Sequence, residues 1–365
     1  MKLNKTVLLA LSGGVDSAVS ALLLKKQGYN VIGLFMQTFR DETTSKNPCK
    51  SKSTMTDEKM AELIAKKLKI KFISKNYKKD YYNKVIVPMI GDYKKGLTPN
   101  PDIVCNKLIK FPYLLKEAKK IGMDYIATGH YAKIKKAKDG NYQLLAGKDK
   151  TKDQSYFLYE LTQQELSKLI FPIGGLTKKK VREIAMGNNF PNWNKPGTKG
   201  ICFLGKTQGI KPFLETKIKP KKGKILSPEG KLLGTHQGTA YYTIGQRIEE
   251  HLGLSINKPK EFAQKRYYIA EKIKGNILIA APENHPSLLK KSVIIKSLHL
   301  ISPRALIPSS LKARIRHLGQ FYEGRLIKQN NKYTFSFQKP IEALAKGQSI
   351  VLYNKNQTVG GGEIR

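Results

Sequence analysis

The stretch that decides the fold is Thr6-Val7-Leu8-Leu9-Ala10-Leu11-Ser12-Gly13-Gly14-Val15-Asp16-Ser17. Its apolar first half predicts a buried parallel strand, and residues 18–26, which end near Gly28, predict a helix. A glycine-rich turn between a strand and a helix presents backbone N–H groups and the positive end of the helix dipole, and both attract phosphate. The stretch therefore predicts a phosphate-binding first βα unit, with an ordinary glycine turn as the alternative.

The side chains of this turn indicate what kind of phosphate it takes. It is not the GxxxxGK[ST] loop, in which a lysine holds the β- and γ-phosphates. Gly13 and Gly14 leave room for the backbone to approach phosphate, and Ser12 and Ser17 offer hydroxyl groups. Asp16 supplies a carboxylate that can help to hold Mg²⁺. We expect magnesium to arrive with a nucleotide, and we expect no metal site made by the protein alone.

The first 130 residues continue to alternate strand and helix. Further strands are predicted at 31–36, 71–74 and 125–128, with a helix at 56–68. This order predicts an α/β fold, a Rossmann-like parallel sheet with helices on both faces and a ligand at the carboxyl ends of its strands. The phosphate turn and Gly129-His130 both follow strands, so we expect them to line one crevice.

The rest of the chain is predicted to be richer in β-structure. Residues 132–145 predict a hairpin that turns at Asp139-Gly140, and helices are predicted to begin after Thr162 and Thr177. From about Lys211 short β-like runs predict a small central β-rich domain and a C-terminal β-barrel. These runs lie at 240–244, 267–270, 277–280, 293–300, 312–317, 333–337 and 349–353. We place the three domains at residues 1–208, 209–285 and 286–365.

Composition limits the class of protein. The chain has 67 Lys and Arg against 27 Asp and Glu, a formal net charge of +40. This excess favours a polyanionic partner such as a nucleic acid, although a lysine-rich genome would account for part of it. No apolar run approaches the ~20 residues that span a bilayer, and we recognise no signal peptide. We expect a cytoplasmic enzyme that does not bind membranes.

Cys49, Cys105 and Cys202 are too few for a disulfide scaffold and lack the spacing of a zinc site. Cys202 lies on a glycine-flanked basic loop, where solvent can reach it, whereas Cys49 lies in a polar loop with nothing to activate it. Taken singly, a cysteine is more often a small buried apolar residue than a nucleophile.

Cys105 follows a turn-rich segment, residues 98–102. We expect Asp102 to cap the helix that begins there and Pro112 to kink or restart it. Cys105 would then lie in the first helical turn, where the helix dipole and Lys107 favour the thiolate.

Six motifs carry a family resemblance. In chain order they are SGGVDS (12–17), PNPDIVCNKLIKF (99–111), DYIATGHYAKI (124–134), KDQSYFLY (152–159), KGICFLG (199–205) and YYTIGQR (241–247). The first resembles the pyrophosphate loop of the ATP pyrophosphatases. Together, and with GQS-VLYN and GGGEI near the C-terminus, they resemble the bacterial tRNA-specific 2-thiouridylases over nearly the whole chain. Other SGGxDS enzymes lack the PNPDxxCN and GICF pair.

The resemblance implies a tRNA-uridine 2-sulfurtransferase that thiolates the wobble uridine of tRNA. In such a reaction ATP adenylates the C2 carbonyl oxygen, pyrophosphate is released, and sulfur from a cysteine persulfide then displaces AMP. It implies ATP as co-substrate with Mg²⁺, tRNAs for Lys, Glu and Gln as substrates, and a persulfide donor. The donor is either a sulfur-relay protein or a cysteine desulfurase.

The resemblance also implies roles for individual residues. Cys202 would carry the persulfide, Cys105 would be the other catalytic nucleophile, and Asp102 would handle a proton. The residues implied in ATP binding are Ala10, Leu11, Ser12, Gly13, Gly14, Val15, Asp16, Ser17, Met36 and Gly129. Contact with the target base is implied for Asn100, Pro101 and Asp102. The residues implied in tRNA binding are His130, Lys152, Asp153, Gln154, Arg316, His317 and Gln348.

The chain departs from the family pattern at two places, and alternatives stay open. Arg316-His317 stands where the family usually shows Arg-Tyr, and residues 248–251 replace a short Lys-Gly-Leu run. His130 has an alternative role as a structural cap of a strand end. Another adenylating enzyme, such as a tRNA lysidine synthetase or a GMP-synthetase-like amidotransferase, would not need Cys202. A non-catalytic RNA-binding protein would need neither the SGGVDS turn nor the cysteines.

Overall fold

The structure is a computed structural model, and it describes residues 5–40, 55–197, 201–204, 209–257, 264–302 and 308–365. Its strands are β1 Thr6–Ala10, β2 Asn30–Gln37, β3 Lys71–Asn76, β4 Tyr125–Ala127, β5 Ala132–Lys136, β6 Tyr142–Ala146, β7 Leu169–Ile170, β8 Gly223–Leu226, β9 Leu232–His236, β10 Leu254–Ile256, β11 Tyr267–Ile273, β12 Ile277–Pro282, β13 Lys290–Leu300, β14 Leu311–Arg314, β15 Tyr322–Gln329, β16 Lys332–Ile341, β17 Ser349–Asn354 and β18 Gln357–Ile364. Its α-helices are α1 Val15–Lys26, α2 Asp57–Leu68, α3 Lys78–Tyr81, α4 Val87–Lys94, α5 Pro101–Cys105, α6 Phe111–Lys120, α7 Gln163–Lys168, α8 Lys178–Gly187 and α9 Lys211–Lys217.

The N-terminal part is a five-stranded parallel sheet in the order β3-β2-β1-β4-β7. Successive side chains of β1 point to opposite faces, so Val7 and Leu9 pack in one apolar core with α1, α2 and α8. Leu8 packs in a second core with α6. The predicted Rossmann-like parallel sheet with helices on both faces is confirmed, and the carboxyl end of β1 opens into the glycine-rich turn.

Two of the three predicted caps are confirmed: Thr162 makes a complete capping box with Glu165, and Thr177 caps α8. The helix predicted to begin at Thr56 begins one residue later, at Asp57, and the Thr56 side chain caps it by accepting a hydrogen bond from the Lys59 backbone. Among the described elements, helices α3, α4 and α9 were not predicted, because each is too short for its apolar residues to show a helical period.

The predicted cap of helix α5 was wrong. Asn100, not Asp102, caps α5, because Asn100 has extended backbone angles and its side chain accepts the Ile103 N–H. Proline at position 101 then occupies the first helical position, where its missing N–H costs nothing. A π-helical segment, Asn106–Lys110, joins α5 to α6 just before Pro112, so the helix changes its winding there without ending.

The central domain is a five-stranded sheet in the order β10-β9-β8-β12-β11. The strand predicted at 240–244 is wrong: residues Thr239–Tyr241 form a 3₁₀ turn. The segment resembles a strand in sequence because aromatic residues are common in strands, and in the structure Tyr241 and Tyr242 are both buried. Their hydroxyls donate to backbone carbonyls of Ile218 and Gly253, so both rings anchor a turn instead of alternating across a strand.

The C-terminal domain is a six-stranded barrel in the order β13-β16-β15-β14-β17-β18, closed by the pairing of β13 with β18. The predicted barrel is confirmed, although β14 ends at Arg314, short of the predicted 312–317. The predicted hairpin, β5 and β6, also forms, and it extends this sheet through pairing of β6 with β18. The N-terminal and C-terminal parts are thus joined by backbone hydrogen bonds. No helix within the described ranges is long and apolar enough to cross a membrane.

Candidate active site

The glycine-rich turn is held in shape by its own serines. Ser17 Oγ accepts a hydrogen bond from the Ser12 backbone N–H at 3.1 Å and donates one to the Gly14 carbonyl oxygen at 3.0 Å. The Ser12 and Ser17 hydroxyl oxygens lie 3.2 Å apart. Helix α1 begins directly after Gly14, so its unpaired N–H groups face the turn. The turn is therefore preformed, with a helix N-terminus behind it.

The two glycines of the turn are needed for different reasons. Gly13 has a φ of +73°, and a Cβ there would lie 2.1 Å from the carbonyl oxygen of Asp57, so the fold itself requires glycine. Gly14 has extended angles, and a Cβ there would meet only the Ser12 hydroxyl, at 3.5 Å. The space beside Gly14 is therefore left open by the protein, which fits the approach of a phosphate group.

Gly129 brings the end of β4 against the same turn. A Cβ at Gly129 would lie 3.0 Å from the backbone of Asp16 and Ser17. Leu11 is fully buried, so only its backbone faces the site, while Met36 at the end of β2 is partly buried. The structure thus places the residues implied in ATP binding around one edge of the sheet.

Asp16 is bound by two side chains that the sequence did not indicate. Lys178 Nζ lies 2.7 Å from both carboxylate oxygens, and the Tyr131 hydroxyl donates to Oδ1 at 2.7 Å. Burial, and next the nearby charge of Asp16, raise the pKa of the Tyr131 hydroxyl well above its ordinary value, so it remains a donor.

This arrangement does not fit a magnesium site formed by protein ligands. Both oxygens of Asp16 are already paired with Lys178. In the portion of the chain that is described, no group of three or more His, Cys, Asp or Glu residues is placed to hold a metal ion.

A second set of residues holds the turn from the Gly13 side. Asn192, which is 1% exposed, donates from Nδ2 to the Gly13 carbonyl oxygen at 3.0 Å. Lys195 and Arg40 both pair with the carboxylate of Asp57, the first residue of α2. Burial alone would raise the pKa of Asp57, but the hydrogen bonds from these two cations outweigh it and lower the pKa below its usual range.

Cys105 is the fifth residue of α5, just past the first turn, and it is 7% exposed. It packs in an apolar cluster with Phe203 and Leu204, which follow Cys202 in a 3₁₀ turn, Cys202–Leu204. The Phe203 ring contacts Phe213 and Phe39 with centroids 5.2 and 6.1 Å away. The two cysteine-bearing segments therefore share one cluster. The side chain of Cys202 and all of Cys49 lie outside what the structure describes.

The residues implied in contact with the target base begin the helix that carries Cys105. Asn100 uses its side chain for the cap, and Pro101 is buried. Asp102 precedes Cys105 by three positions and is partly exposed, so both lie on one side of α5.

His130 is enclosed between aromatic rings. It is 9% exposed, with Phe111 and Phe171 centroids 5.9 and 5.8 Å away, and its Nδ1 lies 2.7 Å from the Thr128 hydroxyl. Burial, and next the charge of Lys110, lower the pKa of the imidazole well below its ordinary value, so the ring is neutral. This geometry favours the structural alternative for His130, and a tRNA contact there stays a prediction.

The KDQ motif and the barrel residues meet. Asp153 is 2% exposed and accepts from Arg314 Nη1 at 2.9 Å, while His317 Nε2 lies 2.9 Å from the Asp153 carbonyl oxygen. The Gln154 side chain accepts the Tyr131 N–H at 3.0 Å, which links the motif to the phosphate site.

Lys152 and Arg316 are exposed, and Gln348 is partly exposed. Of this group, Lys152 and Arg316 are the exposed cations, and contact of the group with tRNA stays a prediction.

Sequence reasoning did not find Tyr131, Lys178, Asn192, Lys195 or Asp57 at the phosphate turn. Lys178 and Asp57 were noted only as parts of helices, and Lys195 only as part of a basic stretch. Their partners lie far along the chain, with 162 positions between Asp16 and Lys178. No local pattern signals such a contact.

Comparison with known proteins assigns the parts of the chain to families. Three family models match: "tRNA methyl transferase HUP domain" at residues 5–206, "tRNA methyl transferase PRC-barrel domain" at 211–281 and "Aminomethyltransferase beta-barrel domain" at 290–364. The first defines the class of the N-terminal part, a HUP-type α/β domain.

Full-length relatives are more specific than these domain descriptions. The tRNA-specific 2-thiouridylase MnmA 2 of Aliarcobacter butzleri is 40% identical over 370 residues, covering 100% of this chain and 99% of the relative. The tRNA-specific 2-thiouridylase MnmA of Francisella tularensis subsp. holarctica is 40% identical over 366 residues, covering 99% of each. A solved 4-thiouridine synthetase–RNA complex with bound ATP matches over 59% of this chain and 50% of that one, with 16% identity and a TM-score of 0.37, which carries no weight for function. The chain belongs to the tRNA-specific 2-thiouridylase family, a family of sulfurtransferases.

Proposed function

We propose that this protein converts the wobble uridine of tRNA into 2-thiouridine, with ATP as co-substrate and a cysteine persulfide as sulfur source. One observation carries the proposal. Strand β2 pairs with β1, which leads into the Ser12–Ser17 turn, and Met36 in β2 and Phe39 just after it pack against the apolar cluster that contains Cys105 and Phe203. This packing supports an adenylation site and a reactive thiol in the same region of the protein, as the chemistry requires.

ATP supplies the adenylyl group that turns the C2 oxygen of uridine, a poor leaving group, into a good one. The open space at Gly14 and the N-terminus of α1 would hold its phosphates, because N–H groups there point outwards. Asp102, at the start of α5, would accept the proton that leaves the uracil ring as its C2 oxygen is adenylated. Asn100 and Pro101 would shape the place where the base lies.

The sulfur step uses the two cysteines in turn. The terminal sulfur of a persulfide on Cys202 forms a bond to C2, and AMP leaves with the bonding electron pair. The Cys105 thiolate then attacks Sγ of Cys202, the S–S bond to the transferred sulfur breaks, and its electrons remain on that sulfur as the thiocarbonyl. The product is a Cys105–Cys202 disulfide, which an external thiol reductant returns to two thiols. The position of Phe203 in the Cys105 cluster supports this pairing.

Binding of tRNA is assigned to the exposed cations near the KDQ motif, Lys152 and Arg316, and to the general positive charge. We propose the tRNAs for Lys, Glu and Gln as substrates and a persulfide-bearing relay protein or desulfurase as donor. In the test, purified protein, ATP, a persulfide donor and each tRNA are incubated together. AMP, pyrophosphate and 2-thiouridine in digested tRNA are then measured. Formation of 2-thiouridine without ATP, or AMP release that does not depend on tRNA, would contradict the proposal.

A further inference from the structure

We infer that Lys195 is a further substrate-binding residue of the adenylation step, one that stabilises the pyrophosphate as it leaves. The inference rests on the proposed function and adds a ligand that the motifs do not contain. Lys195 Nζ lies 3.5 Å from the carbonyl oxygen of Gly13 and pairs with Asp57, whose backbone touches Gly13. The amine is therefore already at the edge of the phosphate turn.

The charge of this cluster is suited to an anion. Asp57 carries one negative charge, whereas Lys195 and Arg40 carry two positive charges, so the three side chains together are cationic. The side chains of Lys195 and Asp57 are 33% and 24% exposed, so their charges are only partly screened by water. Asp57 holds Lys195 near the turn, and its carboxylate leaves one unit of positive charge for a second anion.

Lys195 is better placed than Arg40 to take this role. The Arg40 side chain is 60% exposed and pairs with Asp57. Lys195 is half as exposed and reaches both Asp57 and Gly13. A lysine amine can rotate from a carboxylate to a phosphate oxygen within its own reach, because its stem is flexible.

Asn192 fixes the segment that carries Lys195 to the turn. Its Nδ2 donates to Gly13, and its Oδ1 is buried without a hydrogen-bond partner among the described residues. A buried acceptor without a donor is costly, so it marks a position where a bound substrate or its water can supply one. The segment thus contacts the turn at two side chains three positions apart.

In the adenylation step Lys195 would contribute only its positive charge. When the uridine oxygen bonds to the α-phosphorus, the bond to the bridging oxygen breaks and its electron pair moves onto pyrophosphate. The ammonium of Lys195 neutralises part of that charge, and the step transfers no proton to or from Lys195 or Asp57. Such preorganised stabilisation of a leaving group is a common catalytic device.

The test uses inorganic pyrophosphate, both as a ligand in calorimetry and as an inhibitor of tRNA-dependent AMP formation. Lys195→Gln should weaken pyrophosphate binding about tenfold and lower kcat for AMP formation by about tenfold or more, with a smaller change in KM for ATP. Lys195→Arg should keep most of both. Asp57→Asn should bind pyrophosphate as well as the wild type or better, because it frees the amine. Lys180→Gln, at an exposed lysine paired with Glu183, is the matched control and should change nothing.

These measurements distinguish a failure of the role inferred for Lys195 from a failure of the proposed function. If the wild type forms AMP and binds pyrophosphate but Lys195→Gln equals it, this inference is overturned and the proposed function stands. Equal losses in Lys195→Gln and Asp57→Asn would also overturn it, because then the ion pair matters and not the amine. A wild type that neither forms AMP nor binds pyrophosphate would overturn both. Thermal unfolding shows whether each variant is folded. If Lys195→Gln does not fold, the comparison of Lys195→Arg with the wild type still tests the inference.

Discussion

Lys178 on α8 and Asp16 on α1 form an ion pair beside the phosphate turn, with the amine 2.7 Å from each carboxylate oxygen. The pair joins two helices that pack in the same core, and Tyr131 completes it by donating to Asp16. A carboxylate next to a phosphate site would repel the ligand. The amine of Lys178 offsets this charge, so the turn can accept an anion.

Removal of the Lys178 amine should therefore affect both stability and nucleotide binding. Lys178→Met leaves Asp16 partly buried with only Tyr131, and we expect a loss of about 1–2 kcal/mol in the free energy of unfolding. ATP binding should weaken at the same time. Urea unfolding and calorimetry measure the two effects, with Lys180→Met as the exposed control. Unchanged ATP affinity would show that the pair has a structural role alone.

The two glycines of the turn should respond differently to substitution. Gly14→Val should abolish ATP binding and leave tRNA binding largely intact, because the added side chain enters the open space at the turn and not the protein core. Calorimetry with ATP and a gel-shift assay with tRNA check this. Normal ATP turnover by Gly14→Val would refute the assignment of the phosphate site.

Gly13→Ala serves as the comparison. Its Cβ would lie 2.1 Å from the Asp57 carbonyl oxygen at a φ of +73°, so we expect a loss of folding stability as well as of ATP binding. Thermal unfolding distinguishes the two variants: Gly14→Val should melt close to the wild type and Gly13→Ala well below it.

Arg314 and Asp153 form a buried ion pair between the barrel and the KDQ motif, with side chains 10% and 4% exposed. Arg314→Met leaves an uncompensated buried carboxylate and should cost about 3–5 kcal/mol. Lys312→Met, on the same strand but in an exposed pair with Glu323, should cost less than about 1 kcal/mol. Urea unfolding compares them. Equal losses would mean that the buried pair is not what joins these parts.

Binding of tRNA should weaken steeply as salt is added. A chain with a net charge of +40 that contacts several phosphates releases their counterions, so affinity should fall at least about tenfold between ~50 and ~200 mM salt. Filter binding at a series of salt concentrations measures the slope. A flat profile would show that the lysine content reflects genome composition and not an RNA-binding surface.

Most of the parallel sheet and of the barrel was predictable because β1–β4, β13, β14, β16 and β17 each show a short-range apolar pattern. Strands β7, β15 and β18 were not predicted. The apolar run of β1 followed by Ser12-Gly13-Gly14 fixes both a buried strand and the start of a helix. The caps Thr162 and Thr177 were predictable for the same reason, whereas Asp102 was predicted where Asn100, two residues earlier, is the cap. The fold class therefore follows from short-range patterns.

The contacts that build the site were not predictable, because they join distant parts of the chain. Nothing near Asp16 indicates Lys178, and nothing near Gly13 indicates Asn192. Likewise, the hairpin of β5 and β6 was expected, but its pairing with β18 near the C-terminus is set only by tertiary packing. The strand predicted at 240–244 was wrong because the burial of two adjacent rings, Tyr241 and Tyr242, does not distinguish a strand from a turn.

The most direct measurement follows isotopically labelled sulfur from Cys202 to tRNA in the presence of ATP. We expect label in 2-thiouridine and a Cys105–Cys202 disulfide peptide after one turnover, both detected by mass spectrometry. Cys202→Ser should pass no protein persulfide to tRNA, Cys105→Ser should load sulfur but not complete turnover, and Cys49→Ser should behave nearly as the wild type. Full 2-thiouridine formation by the Cys105 or the Cys202 variant would contradict the two-cysteine mechanism.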